Sequence, residues 1–328
     1  MTRRWLAAAA LPIAATALLA SSASAATAPN AVRSSNWAGY TASGAQFSDV
    51  SGTWVQPAAN CAGGSGVAAF WIGIGGATGS SRALEQTGTQ VECGKDGTPS
   101  YSAWYELVPA GPVTVDLAVA PGDRISARVG VNGDRISISM TDVTTGASFS
   151  KTLRMNGPET GSAEWIAEAP SACQSSGKSC KTLPLADFGT VAFSAASATA
   201  AGHAGPISDP QWTATPVQLS PGARLGLGGD LFGPGAGGGD RTSTAAAVPS
   251  TLTPDGSAFS VAWQARGNFA ATVRRQSSAG WKRSPSGPSI STSTCAPAAK
   301  SSKAARPWTG GLSAPSAAGS SCSPRSTR

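Results

Sequence analysis

The chain has 328 residues, 41% of them apolar but only 12% charged, and it contains a single histidine, His203. Its 40 Gly and 23 Pro stay below the ~25–30% at which low-complexity disorder becomes the default. So little charge disfavours coiled coils and ion-pair networks, and one histidine leaves scant room for a His-ligated zinc site or a Ser-His-Asp hydrolase.

The N-terminus reads as an export signal. Arg3 and Arg4 precede an apolar run from Trp5 to Ala20, and Ala23-Ser24-Ala25 fits a small-residue cleavage site. Residues 1–25 are therefore expected to be a signal peptide. The run is short for a membrane anchor and Pro12 interrupts it. No membrane association is expected once the signal is cleaved, and the mature protein is expected to be secreted and extracellular.

From there the pattern has a period of two. Strands are expected at Ala68–Ile74, Tyr101–Leu107 and Val113–Val119. Ile125, Ala127, Val129 and Val131 alternate with polar or small residues, Asn132-Gly133 supplies a turn, and Ile136, Ile138 and Met140 alternate again. That is the clearest hairpin in the chain. Glu164–Glu168, Thr190–Ser194 and Phe259–Trp263 complete the strand signals, with turn chemistry between them and no 3.6-residue period. An all-β chain follows, an antiparallel β-sandwich or barrel spanning residues 26–265. Residues 226–240 are Gly-rich and read as an insertion. Gly233, Gly235 and Gly238 match a dinucleotide-binding spacing but lack the strand-to-helix context such a site needs.

Charge is unevenly shared. Residues 26–265 carry 12 Lys/Arg against all 17 Asp/Glu, whereas residues 266–328 carry ten Lys/Arg and no acid. The second stretch is rich in Ser, Pro and Ala and poor in large aliphatics, so a disordered basic tail is expected there rather than a nucleic-acid-binding segment. Six cysteines in an exported chain read as disulfides. Cys173 and Cys180 close a polar loop and form the most convincing pair. Cys61 and Cys93 are able to pair with each other, and Cys295 and Cys322 lie in the tail.

Candidate chemistry lies in carboxylates, amides and aromatics. Five regions place a Trp or a carboxylate in an apolar strand: SSNWAGY (34–40), VSGTWVQP (50–57), AAFWIGIGG (68–76), LEQTGTQVEC (84–93) with YSAWYEL (101–107), and SAEWIAEAP (162–170) followed by LADFGTVAF (185–193). Strand alternation puts Glu164, Ile166 and Glu168 on one face, so Glu164 lies either in solvent or in a cleft. A buried carboxylate without a partner is costly, which makes this face a candidate site.

These strings, in this order, resemble the glutamic peptidases, or eqolisins, which are secreted acid endopeptidases with a concanavalin-like jelly-roll sandwich. The resemblance implies that Gln86, in Leu84-Glu85-Gln86-Thr87-Gly88, and Glu164, opening Glu164-Trp165-Ile166, form the catalytic pair. It implies that Trp37 and Trp71 line the substrate cleft with Glu106 beside them, and it reproduces the Cys173–Cys180 loop. The short stretch between Ala25 and Ser34 leaves no room for a long propeptide. Three outer positions depart from the fungal pattern: Gly75 and Gln90 stand where acids are found, and Val108 where a Tyr is found. The chemistry is self-consistent, since one Glu activates water and protonates the leaving amine while Gln offers an N–H to the oxyanion. No cofactor and no metal are implied. Substrates would be proteins or peptides, and the enzyme would be a monomer. The alternatives are a glycoside hydrolase pairing Glu164 with Glu106, or a non-catalytic carbohydrate-binding module using exposed Trp residues. Glu164 and Glu168, four residues apart on a strand, are about 13 Å apart, too far for a glycosidase pair by themselves.

Overall fold

The computed structural model describes residues 26–77, 81, 83–173, 180–220 and 245–265. The expected signal peptide, Gly-rich insertion and tail lie outside the described residues, as do Cys295 and Cys322. Among those described, nearly every regular element is a strand. In chain order they are β1 Val32–Ser34, β2 Trp37–Ser43, β3 Phe47–Val55, β4 Gly66–Gly75, β5 Leu84–Cys93 and β6 Pro99–Val108. Next come β7 Val113–Val115, β8 Arg124–Asn132, β9 Arg135–Asp142, β10 Ser148–Arg154, β11 Ser162–Glu168 and β12 Ser171–Cys173. The last are β13 Cys180–Thr182, β14 Thr190–Ala200, β15 His203–Pro206, β16 Thr213–Leu219, β17 Ala245–Pro249 and β18 Phe259–Ala265.

Hydrogen bonding runs β10-β9-β8-β3-β14-β18-β17-β16-β2-β11-β4-β5-β6-β7, with β1 alongside β16 and β15 alongside β14. All pairings are antiparallel except β1 with β16. The sheet doubles back on itself, so β3, β8 and β9 face β4, β5 and β11 across one core. This is the expected β-sandwich. Two tryptophans tie its layers together. Trp54 of β3 donates its indole N–H to Thr89 Oγ1 of β5 at 2.9 Å, and Trp165 of β11 donates to the Ser51 carbonyl of β3 at 2.8 Å. Both rings are fully buried, so each gains the burial of a large apolar surface without stranding its one polar atom. Gly52 makes room for Trp165, because a Cβ there would sit 3.0 Å from the Trp165 ring.

The Asn132-Gly133 hairpin forms as β8 and β9, with Ile125, Ala127, Val129, Val131, Ile136, Ile138 and Met140 all turned into the core. The strand expected over Val113–Val119 is shorter. It stops at Val115, where the Leu117 N–H turns back to the Val115 carbonyl at 3.0 Å and Leu117 buries its side chain. Thr190–Ser194 extends instead to Ala200, interrupted by a bulge at Ala195, whose φ is 49°.

Cys61 and Cys93 are disulfide-bonded, joining the turn before β4 to the end of β5. Cys173 and Cys180 face each other in the β12–β13 register, but their side chains lie outside the described residues. The Cys61–Cys93 bridge closes a loop with a sequence separation of 32, for which chain entropy predicts roughly 3–4 kcal/mol. Replacing both cysteines by Ala should lower the unfolding free energy by about 2–4 kcal/mol, read by denaturant titration under non-reducing conditions.

Candidate active site

β11, β4, β5 and β6 are neighbours, and their register fixes what faces what. One cross-strand row is Glu164–Gly73–Gln86–Glu106, and the next is Ile166–Trp71–Gly88–Trp104. A third row is Glu168–Ala69–Gln90–Ser102, with Trp37 of β2 opposite Glu168 on its other side. Period two puts all of these side chains on the face turned away from the main core. A second apolar cluster forms there from Trp37, Ala69, Trp71, Leu84, Trp104, Val108, Ile166 and Val217.

Polar groups are embedded in that cluster. Gln86 donates from Nε2 to Glu106 Oε2 at 2.6 Å, and Gln86 Oε1 is buried without a hydrogen-bond partner. Glu168 is held at both oxygens: Asn36 Nδ2 donates to Oε1 at 3.0 Å and Trp71 Nε1 to Oε2 at 2.8 Å. Asn36 is oriented in turn by the Ser34 hydroxyl, which donates to Asn36 Oδ1 at 3.2 Å and accepts the Trp37 backbone N–H at 3.0 Å. Trp37 meets Trp71 edge to face, with ring centroids 5.0 Å apart. Gly88 permits this arrangement, because a Cβ there would lie 2.5 Å from the Trp71 Cβ and 2.3 Å from the Phe70 carbonyl oxygen. The glycine of the Gln-Thr-Gly string is thus a requirement of Trp71.

Burial dominates the electrostatics. Glu168 is pushed up from 4.5 to about 7 by loss of solvent, partly offset by the indole and amide N–H groups of Trp71, Trp37 and Asn36. Glu106 is raised further, to about 8, by burial and then by the negative charge of Glu168, with the Gln86 amide opposing. Glu106 therefore senses the charge of Glu168. Glu164 is fully buried and neither of its oxygens reaches hydrogen-bond geometry. Burial holds its proton on well above the usual carboxyl range; the Ser162 hydroxyl relieves some of the cost and Glu85 adds to it. Glu85 is also pushed up to about 8, chiefly by burial.

Gln86 and Glu106 are hydrogen-bonded to each other, Trp71 contacts Trp37 and binds Glu168, and the negative charge of Glu168 is felt at Glu106. Glu164 shares the face but sits four residues away along β11, beside Ser162 and under the influence of Glu85. Asn36 went unnoticed in the sequence, although it immediately precedes Trp37 in the Asn-Trp string. At Gly75, where the fungal pattern has an acid, φ is +87° and a Cβ would lie 2.6 Å from the Glu159 carbonyl oxygen, so no other residue fits. No group of three or more His, Cys, Asp or Glu side chains is arranged to hold a metal among the described residues.

This sandwich, with a buried Gln and paired glutamates on an aromatic sheet face, has the features of a glutamic peptidase. Residues 35–220 match the Peptidase A4 family, and the chain belongs to that family, the eqolisins; it is a peptide hydrolase of the glutamic type. It is 34% identical over 189 residues to scytalidopepsin B of Scytalidium lignicola, covering 55% of this chain and 69% of that protein. It is 34% identical over 194 residues to aspergillopepsin-2 of Aspergillus niger, covering 52% of this chain and 66% of the other. A crystal structure of scytalido-glutamic peptidase with a transition-state analog inhibitor superposes with a TM-score of 0.55 at 27% identity, covering 70% of this chain and 98% of that one.

Four buried carboxyls with raised values set the sign of the stability–pH relation. Each binds its proton more tightly folded than unfolded, so its stabilising contribution is complete below the unfolded value of 4.5. It is lost as pH climbs through the folded values of about 7 for Glu168 and about 8 for Glu85 and Glu106. The melting temperature should therefore be highest in acid and fall steadily between those limits, as thermal denaturation in a buffer series would show. Glu85→Gln should flatten part of that fall, because the amide has no proton to lose.

Proposed function

We propose that this chain is a secreted endopeptidase acting in acid, in which Glu168 and Gln86 carry out peptide-bond hydrolysis and Trp37, Trp71 and Glu106 shape the substrate cleft. The observation that carries this reading is the joint placement of Glu168, Gln86 and Glu106. The Glu168 carboxyl is held by Asn36 and Trp71, and the Glu106 beside it is bound to the Gln86 amide. Glu168 takes this role in preference to Glu164 because Asn36 and Trp71 bind both its oxygens, whereas Glu164, in the Gln86 row with Gly73 between them, has neither oxygen hydrogen-bonded and is held protonated well above the usual carboxyl range.

In the working form Glu168 is ionised, a minority form in acid at a value of about 7, so the rate should rise with pH across the acid range. It takes a proton from water as the water oxygen attacks the substrate carbonyl carbon. Gln86 has two amide hydrogens; one is engaged by Glu106 and the other is left to donate to the oxyanion. Glu168 then returns its proton to the departing nitrogen as the C–N bond breaks, leaving a carboxylic acid and an amine. Glu106 fixes which end of the Gln86 amide faces the substrate. The tighter proton binding of the buried carboxyls in the fold supports stability in acid, and the disulfide Cys61–Cys93 and the N-terminal signal pattern support export to an oxidising compartment.

Replacing Glu168 by Gln should lower kcat by about 10²–10⁴ with folding intact, while Glu164→Gln should retain most activity. Gln86→Ala should lower kcat more than it changes KM. Loss of cleavage in Glu164→Gln with activity kept in Glu168→Gln would return the catalytic role to Glu164.

Coupling within the carboxyl pair gives a second expectation. Removing the Glu168 charge by Glu168→Gln should make Glu106 easier to ionise, so the Glu106 carboxyl should titrate at lower pH in the variant, as NMR of side-chain carboxyl carbons would show. An unmoved Glu106 titration would mean that burial alone holds its proton.

A further inference from the structure

The outward face of β3, β8, β9 and β10 belongs to the other layer of the sandwich and plays no part in the cleft. Its register rows are Ser51–Arg128–Ser139–Ser150 and Asp49–Gly130–Ser137–Thr152. A groove of ≈ 560 Å³ opens on it, lined among others by Asp49, Arg128, Gly130, Ser137, Ser150 and Thr152. Hydroxyls, an amide, a carboxylate and guanidinium groups make up this surface, with no aromatic ring turned outward. That composition is poor for docking a folded protein, which needs an apolar or aromatic centre to the contact. It is well suited to exchanging hydrogen bonds with sugar hydroxyls.

Charge makes the partner more specific. Four arginines, Arg124, Arg128, Arg135 and Arg154, project from this face. Asp49 pairs with Arg128 and Asp134 with Arg154, whereas the Arg124 and Arg135 side chains have no ion-pair partner among the described residues. Arg135 and Arg154 stand directly opposite each other across β9 and β10. Like charges so placed cost stability, and the cost would be recovered by an anion lying over both. Along β8, Arg124 and Arg128 are four residues apart, and Asn132, the partner of Arg135, is four further on. Guanidinium groups therefore recur about every 13 Å along the strand axis, the Arg128 one paired with Asp49, with hydroxyl rows between. Gly130 keeps the groove floor low midway, since a Cβ there would come within 3.3 Å of Asp49 Oδ2.

We propose that this face binds a linear anionic polysaccharide, laid along the strands from Arg124 past Arg128 to Arg135 and Arg154. The guanidinium groups take the acidic substituents through charge-assisted hydrogen bonds, and the Ser and Thr rows take the ring hydroxyls. The surface is independent of the catalytic reading and would hold the peptidase on a charged matrix.

The test is binding of the full chain to polygalacturonate, with dextran as the neutral polymer and polyglutamate as the polyanion without sugar. The wild type should bind polygalacturonate, more weakly as salt is added, and should bind the other two far less. Combined Arg124→Ser, Arg135→Ser and Arg154→Ser should weaken polygalacturonate binding by about tenfold or more while leaving cleavage of a short soluble peptide unchanged. Undiminished binding in that variant would put the polymer on the basic residues 266–328 and overturn the proposal. Equal binding of dextran or polyglutamate would overturn it as well.

Discussion

The sheet face that carries Trp37, Gln86 and Glu106 is arranged around one hydrogen bond, from the Trp71 indole N–H to Glu168 Oε2 at 2.8 Å. It joins β4 to β11 through side chains, and it needs three things at once. Gly88 must lack a side chain for Trp71 to lie where it does. Trp37 must supply an edge-to-face neighbour that fixes the indole plane. Asn36 must hold the other carboxyl oxygen, and is itself held by Ser34. A buried carboxyl is tolerable only when its oxygens are answered in this way.

Protonation at the site is set by burial rather than by cations. No salt bridge touches Gln86, Glu106, Glu164 or Glu168 among the described residues. Their environment is indole, amide and aliphatic carbon, so the carboxyls keep protons to unusually high pH. The burial that raises these carboxyls also favours the fold in acid, because each binds its proton more tightly folded than unfolded. The two orphaned Glu164 oxygens and the unpartnered Gln86 Oε1 are the places where the face is least satisfied.

Much of this was legible in the sequence. Strand alternation placed Glu164 and Glu168 on one face and Trp165 in the core, and the Asn132-Gly133 turn defined its hairpin. The ordered strings around Trp37, Trp71, Gln86, Glu106 and Trp165 resembled the family to which the chain belongs. Local chemistry suffices for these features, because a two-residue period and a turn sequence depend only on neighbours along the chain.

Choosing between two glutamates on one strand face is a different problem, since alternation treats Glu164 and Glu168 alike. What separates them is the company brought by other strands: Asn36 lies 132 residues from Glu168 in sequence, and Trp71 lies 97. The bar to an acid at Gly75 likewise comes from the Glu159 carbonyl pressing on it, and the row of arginines across β8, β9 and β10 from strand register. The sequence by itself determined the two-residue period of the main strands, which of their side chains share a face, and the resemblance to the family to which the chain belongs. Only the tertiary structure decided which carboxyl is answered by hydrogen bonds and which is left protonated, because both depend on long-range register and on exclusion of water.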